Sequence, residues 1–357
     1  MPFPVRDRLL IGDINDAADV LLGRGPREIT HLLSLLSSVS VSFFSEWRPR
    51  LEIPAKEVRK VFAAGEERPE AGEGLKQGEE GRILGVVQMA GEGLRFVRMA
   101  VPLRDMESEN LLDYLDVCLD FIEKSRAEGT ILVHCFAGVS RSAAVMTAYL
   151  MRSEQLSQED ALESLHQSCE LVCPNDGFLE QLKMFENMGF KVDRTSPIYK
   201  RFRLKLLGEA YSRGEKIDGS GFGTDPGLPD QVSSRADTLT DKPKTAFRCK
   251  SCRRVVATQD NVISHTPGEG EACFSWAKRR SGHPFIRADE IECSSIFIEP
   301  LKWMKAVEDG AMEGKLSCIH CQSRLGYFNW SGIQCSCGSW ITPAFQLHKS
   351  RIDVCSL

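Results

Sequence analysis

The chain has 357 residues, of which 42% are hydrophobic and 27% charged, and carries a net charge of −5. That length suits two domains and that composition can bury ordinary cores, which excludes a disordered or fibrous chain, and the mild acidity gives no global nucleic-acid signature. No apolar run reaches membrane-spanning length and the opening MPFPVRDRLLIGD lacks the core of a signal peptide, so no membrane association is expected; thirteen Cys with paired C-x-x-C units suit a reducing compartment, cytoplasm or nucleus.

In chain order, Arg8 to Asp13 reads as a strand, Asn15 as the cap of a helix through Leu22, Ile29 to Leu36 as a second strand and Val39 to Phe44 as a third. Pro54 to Gly93 is Gly- and Glu-rich through its middle and is expected to be an insertion loop, at least partly disordered, to which the sequence assigns no function. Leu94 to Val101 alternates like a strand. Leu111, Leu112, Leu115, Leu119 and Ile122 then recur at helical spacing, predicting a helix from Ser108 to Ala127. Further helices are predicted over Ser157 to Ser168 and Asn175 to Met188, then a basic helical connector over Pro197 to Leu207 and a polar linker over Tyr211 to Lys244.

The most informative stretch is ILVHCFAGVSRS, Ile131 to Ser142, followed by an apolar helix over Ala143 to Met151. A strand–loop–helix unit gathers free backbone N–H groups and the positive helix end, so it binds phosphate and stabilises a thiolate. Cys135 is the candidate nucleophile toward phosphorus. Arg141 offers a rigid fork of donors for phosphate oxygens, and the loop Phe136, Ala137, Gly138, Val139 and Ser140 supplies backbone N–H groups. Ser142 can hydrogen-bond the sulfur and help it leave, while His134 orients the loop. Without its context a C-x5-R spacing would read as a buried Cys near a surface Arg; His before the Cys, Gly in the loop and Ser after the Arg argue against that.

This H-C-x5-R-S pattern resembles the signature of cysteine-dependent tyrosine and dual-specificity phosphatases, and the opening with its ITHLL strand resembles the start of dual-specificity domains. The resemblance implies a small α/β fold, a central sheet flanked by helices. It also implies that Asp105, on the loop before the long helix, is the general acid; neighbouring Glu107 and Glu109 are the rivals for that position. The catalytic part is small, which suits a shallow pocket open to phosphoserine and phosphothreonine as well as phosphotyrosine. Phe136 to Ser140 contains no Lys or Arg, which disfavours inositol lipids.

From Thr245 the character changes. Cys249/Cys252 and Cys318/Cys321 form C-x-x-C units and Cys335/Cys337 a C-x-C-G. Tetrahedral Zn²⁺ takes four N/S ligands, and each such unit offers two. A hairpin with strands at Leu325 to Trp330 and Ile333 to Cys335 predicts one zinc on Cys318, Cys321, Cys335 and Cys337. The second would take Cys249, Cys252 and Cys293, with His265 as fourth ligand, His348 as runner-up and Cys273 weaker. Both ions would be structural. The basic stretches Arg248 to Arg254 and Lys278 to Arg280 suit either RNA contact or solvated loops.

HCFAGVSRS together with FRCKSCRR, FIEPLKWM and LGYFNWSGIQCSCGSWITPAFQLHKSRID resembles the Yvh-type zinc-containing phosphatases. The expected layout is a catalytic domain at 1–195, a connector and linker at 196–244 and a β-rich zinc-binding domain at 245–357. The resemblance further implies phosphoprotein substrates and a role in maturation of the large (60S) ribosomal subunit through the zinc domain. A protein that is mainly a phosphatase and one that is mainly an assembly factor docking on the pre-60S particle are the two functional expectations.

Overall fold

The computed structural model describes residues 2–62, 83–215, 222–228, 245–266 and 293–356, together with Ile217 and Gly219. The chain forms two compact units, Met1–Asp193 and Arg194–Leu357.

The first unit is built on a seven-stranded mixed sheet. Its strands are β1 (Phe3–Arg6), β2 (Leu9–Gly12), β3 (Ile29–Leu36), β4 (Ala55–Phe62), β5 (Ile83–Ala90), β6 (Phe96–Pro102) and β7 (Thr130–His134), in the order β1-β2-β7-β3-β6-β5-β4. The four central strands β2, β7, β3 and β6 are parallel. Parallel strands are covered on both faces, which is why Ile131–Val133 and Leu32–Leu36 are near-continuous apolar runs, all buried. The helices are α1 (Ile14–Leu21), α2 (Phe43–Trp47), α3 (Leu112–Glu128), α4 (Arg141–Glu154), α5 (Gln158–Ser168) and α6 (Asp176–Asn187). α4 is buried on all sides through its first eleven residues, Arg141 to Met151. Its small residues Ala143, Ala144 and Ala148 allow that close packing.

Several boundaries differ from expectation, for local reasons. Asp13, not Asn15, caps α1: its carboxylate accepts from Asp16 N while Asp16 answers to Asp13 N, a reciprocal box. Val39 to Phe44 is a turn entering α2 rather than a strand. α3 starts at Leu112, because Gln181 Oε1 on α6 accepts from both Leu111 N and Leu112 N and holds the preceding residues as turns. The expected insertion loop over 54–93 instead begins and ends in paired strands: β4 and β5 form an antiparallel pair that extends the sheet. β5 is buried, and β4 is an exposed edge carrying Lys56, Arg59 and Lys60, charges that deter further pairing. The Gly/Glu-rich middle, 63–82, lies outside the described residues.

The second unit holds α7 (Pro197–Ser212), β8 (Thr245–Cys249), β9 (Val255–Thr258), β10 (Ser295–Phe297), α8 (Lys305–Glu308), β11 (Glu313–Ser317), β12 (Arg324–Asn329), β13 (Ile333–Gln334), β14 (Trp340–Ile341), β15 (Ala344–His348) and β16 (Ile352–Ser356). They make a four-stranded sheet β10-β15-β12-β11, a three-stranded sheet β16-β8-β9 and a pair β13-β14. The predicted connector α7 belongs to this unit: Leu204 joins its core and Tyr211 stacks on Trp330 at 4.9 Å. Part of the predicted linker is packed as well. Ile217 and Phe222 are buried, and Asp225 pairs with Arg254 at 2.6 Å. The predicted β12–β13 hairpin does not form, because β12 is already flanked by β11 and β15 and β13 pairs with β14.

Candidate active site and metal-ligand clusters

β7 ends at His134 and α4 begins at Arg141; the loop between them wraps the Cys135 sulfur. Gly138 N donates to Cys135 Sγ at 3.2 Å and the Ser142 hydroxyl donates to it at 3.3 Å. Two donors are thus aimed at one sulfur at the start of a helix. The loop is anchored at several points. Ile14 N on α1 donates to Phe136 O at 3.1 Å, and Cys173 N donates to Val139 O at 2.7 Å. Gly138 has φ +76, and a Cβ there would meet Gly12 O at 3.0 Å, so glycine is required by both conformation and space.

Asp105, Ser140 and Arg141 come together beside the loop. The Asp105 carboxylate accepts from Ser140 Oγ at 2.6 Å and from Asn175 Nδ2 at 2.9 Å. Asn175 also caps α6 by accepting from Phe178 N. Arg141 donates to Leu103 O at 3.3 Å; its Nε forms an ion pair with Asp105 Oδ2 at 3.6 Å, beyond hydrogen-bond reach, and has no hydrogen-bond partner among the described residues. A buried guanidinium with a vacant donor is ready for an oxygen of an incoming anion. The rival acid Glu109 is engaged elsewhere, with Arg104 at 2.7 Å.

His134 is fully buried. Its Nδ1 faces Cys135 O at 3.1 Å and its Nε2 faces Ser34 Oγ at 2.7 Å. A carbonyl can only accept, so Nδ1 carries the proton and Nε2 accepts from Ser34. Burial, with the charges of Arg98 and Arg141 adding to it, holds the imidazole's pKa down to about 3, against the raising effect of its bond to Cys135 O and of Asp13. It is a neutral orienting group across the working pH range. Sequence reading missed Ser34, Arg98 and Asn175. Only the Pro-Asn pair ahead of α6 carried a signal, and that signal was for a helix cap.

In the second unit all eight predicted metal ligands fall into two clusters, with the pairing exchanged. Cys249, Cys252, Cys318 and Cys321 form one, and His265, Cys293, Cys335 and Cys337 the other, each with its ligand atoms within 4.8 Å of one another. The predicted set Cys318, Cys321, Cys335 and Cys337 cannot share an ion. Cys321 precedes β12 and Cys335 follows it, and six extended residues span roughly 20 Å. Instead the two C-x-x-C turns face each other. They have the same build: Arg253 N donates to Cys249 O and Gln322 N to Cys318 O, both at 2.8 Å, with Arg253 and Gln322 at positive φ. His348, the runner-up ligand, takes no part and its Nδ1 meets Ser295 Oγ. Cys273, with Lys278 to Arg280, lies outside the described residues.

The donor sets fit a tetrahedral ion. Cys249 to Cys321 and Cys252 to Cys318 are 3.7 and 3.6 Å apart between sulfurs, against about 3.7 Å between thiolates on one Zn²⁺. His265 Nε2 is 3.4 Å from Cys293 Sγ and 3.3 Å from Cys337 Sγ. Burial and the neighbouring Cys335 and Cys337 push the Cys293 thiol up to about 12. Three thiols and an imidazole converging on one point make the donor set that a bound cation satisfies. The two clusters can therefore hold metal ions.

A thiolate cradle between a parallel strand and a buried helix, with an arginine fork beside it, defines the cysteine-dependent phosphatase class. Residues 88–188 match the family of dual specificity phosphatase catalytic domains. Over 271 residues the chain is 40% identical to human Dual specificity protein phosphatase 12, covering 74% of this chain and 76% of that one. It is 37% identical over 255 residues to Tyrosine-protein phosphatase YVH1 of Saccharomyces cerevisiae, covering 68% and 69%. Over 126 residues, 35% of this chain and 84% of the other, it is 55% identical to a protein of Arabidopsis thaliana described as a probable inactive dual specificity protein phosphatase-like protein. The chain belongs to the dual specificity phosphatase 12 and Yvh1 family and is a dual-specificity protein phosphatase. No helix among the described residues is long and apolar enough to cross a membrane.

Proposed function

We propose that this protein hydrolyses phosphotyrosine and phosphoserine or phosphothreonine in proteins through a phosphocysteine at Cys135. The carrying observation is the pair of donors on Cys135 Sγ beside the vacant Nε of Arg141. The Cys135 thiolate forms a bond to phosphorus while the ester P–O bond breaks. Asp105 gives its proton to the departing oxygen, and Arg141 with the N–H groups of Phe136 to Ser140 holds the equatorial oxygens. Water then attacks phosphorus, giving a proton to the Asp105 carboxylate, and the S–P bond breaks. The Ser142 hydroxyl stabilises the returning thiolate, and inorganic phosphate leaves. His134 keeps the loop in shape.

Two zinc ions, one on Cys249, Cys252, Cys318 and Cys321 and one on His265, Cys293, Cys335 and Cys337, would hold the second unit together. No ligand position is left open in either set, so both are structural and neither enters the reaction. The family resemblance supports a role in 60S subunit maturation, with the protein in cytoplasm and nucleus. A reading in which the second unit docks on the pre-60S particle and catalysis is accessory is supported by that unit's separate core and metal clusters.

Cys135→Ser tests the chemistry: hydrolysis of an aryl phosphate and of phosphopeptides falls to background while fold and metal content persist, and near-wild-type turnover would remove the mechanism. The same variant, returned to cells depleted of the protein, tests the role. Full rescue of large-subunit maturation makes catalysis accessory, and failure with normal expression makes it central.

A further inference from the structure

Arg98, on β6, is the largest wholly buried side chain of the described residues. Its register partner on β3 is Leu32, two residues before Ser34, and Ser34 is paired across the next strand with His134. Residues two apart on a strand share a face, so Arg98, Ser34 and His134 lie on the same side of the sheet. The guanidinium reaches across β3 toward the base of the Cys135 loop.

A hydrogen-bond chain follows that line. Arg98 Nε donates to Ser34 Oγ at 2.8 Å. The Ser34 hydroxyl donates to His134 Nε2 at 2.7 Å, and His134 Nδ1 donates to Cys135 O at 3.1 Å. The direction is forced from both ends, because a guanidinium only donates and a carbonyl only accepts. Every link therefore points toward the nucleophile's peptide.

The rest of the guanidinium is poorly satisfied. Nη1 reaches Val39 O at 3.3 Å, Nη2 has no partner among the described residues, and the Phe44 ring lies 5.6 Å from Cζ. No carboxylate is paired with it there. Burial alone pushes its pKa down to about 10, so it remains charged in the working range. An uncompensated buried cation is costly to folding. Ser34 and His134 would be oriented by far cheaper neutral donors if orientation were all that was needed.

We propose that Arg98 is a positioning residue for catalysis: it polarises the Ser34–His134–Cys135 chain and supplies a fixed positive charge behind the loop that favours the Cys135 thiolate. The inference rests on the reading of Cys135 as nucleophile. It adds a second cation to Arg141, one that never touches substrate. The other charged groups around the site are Arg141 at the start of α4, Asp105 on the β6–α3 loop, and Asp13 at the cap of α1. Both carboxylates oppose the thiolate, and Arg98 offsets them from the strand side.

The test uses the full chain and two readouts, kcat toward an aryl phosphate and the pH dependence of Cys135 alkylation by iodoacetate, located by mass spectrometry. Arg98→Gln removes the charge. The acid limb of the alkylation profile is expected to move upward by about one pH unit, a roughly tenfold loss of thiolate at fixed pH, with kcat falling and KM little changed. Arg98→Lys keeps the charge and is expected to return the limb toward wild type. Ser34→Ala breaks the chain but leaves the charge: kcat is expected to fall about five- to tenfold with the limb in place. A folded Arg98→Gln protein with a wild-type profile overturns the proposal. Should that variant not fold, Ser34→Ala decides, and an unchanged kcat there overturns it equally. If the wild-type protein neither turns over nor is alkylated at Cys135, the nucleophile reading fails and the proposal with it, a result distinct from an unaltered Arg98 variant.

Discussion

The two units solve the problem of holding a shape in different ways. The first surrounds a seven-stranded sheet with helices and buries α4 on all sides. The second divides its strands among three small sheets and gathers eight Cys and His ligands into two clusters. A structural Zn²⁺ contributes about 10–16 kcal/mol to small metal-binding domains, as much as the whole net stability of about 5–15 kcal/mol that a typical domain has. Removing metal should therefore be decisive for the second unit and of little consequence to the first. Cysteine is placed differently in the two: in the first unit Cys135 stands under two donors, and in the second the thiols gather in sets that can hold a metal ion.

The sharpest way to break the comparison is chelation. Stripping metal from the protein is expected to unfold Arg194–Leu357 while aryl-phosphate hydrolysis persists. Circular dichroism and activity on the same sample read both, and loss of activity in step with metal would merge the two units into one. Cys252→Ser and Cys321→Ser are each expected to remove one metal equivalent, and the double variant the same single equivalent with the His265 cluster still loaded, as measured by elemental analysis. That outcome depends on the observed pairing, since the pairing expected from the hairpin would disturb Cys293 and His265 instead.

Within the first unit, Asp105→Ala is expected to slow turnover by roughly 10²–10⁴-fold; an unchanged rate would move the acid elsewhere. Asn175→Ala should cost less. It removes a bond to Asp105 and the cap of α6, so about 1 kcal/mol of stability is lost with a modest drop in kcat, read by denaturant titration and kinetics.

The effect that vanishes at neutral pH is a pH dependence of stability. His134 is neutral when folded, with its pKa held down to about 3, and ordinary when unfolded at 6.5. Below pH 6.5 the unfolded chain gains a proton that the folded one refuses. Stability therefore falls by up to about 1.4 kcal/mol per pH unit from 6.5 toward 3, and is unaffected by this group above 6.5. His134→Gln is expected to flatten that slope in calorimetric scans.

The phosphate loop was legible in the sequence because its requirements are local. A strand end, six residues and a helix start fix where Cys135, Gly138, Arg141 and Ser142 stand relative to one another. The paired cysteines of the two clusters were legible because soft donors at C-x-x-C and C-x-C spacings suit a shared metal ion. Their partition was not. A C-x-x-C turn fills half a tetrahedron, and which half meets it depends on the ends of β8 and β11, which lie in separate sheets, with β12 standing between the pairs that looked adjacent. The helical part of the connector was legible by its periodicity, but its attachment to the second core depended on Leu204 joining that core and on Tyr211 finding Trp330 far along the chain.

The support behind the nucleophile was hidden for the same reason. Ser34 and Arg98 sit in strands whose composition predicts only a sheet, 100 and 36 residues from His134 in sequence. Short-range order, set by sterics and capping over a few residues, is written in the chain itself. Long-range pairing depends on which strands lie side by side, and that register alone brought a serine, an arginine and a histidine into one line.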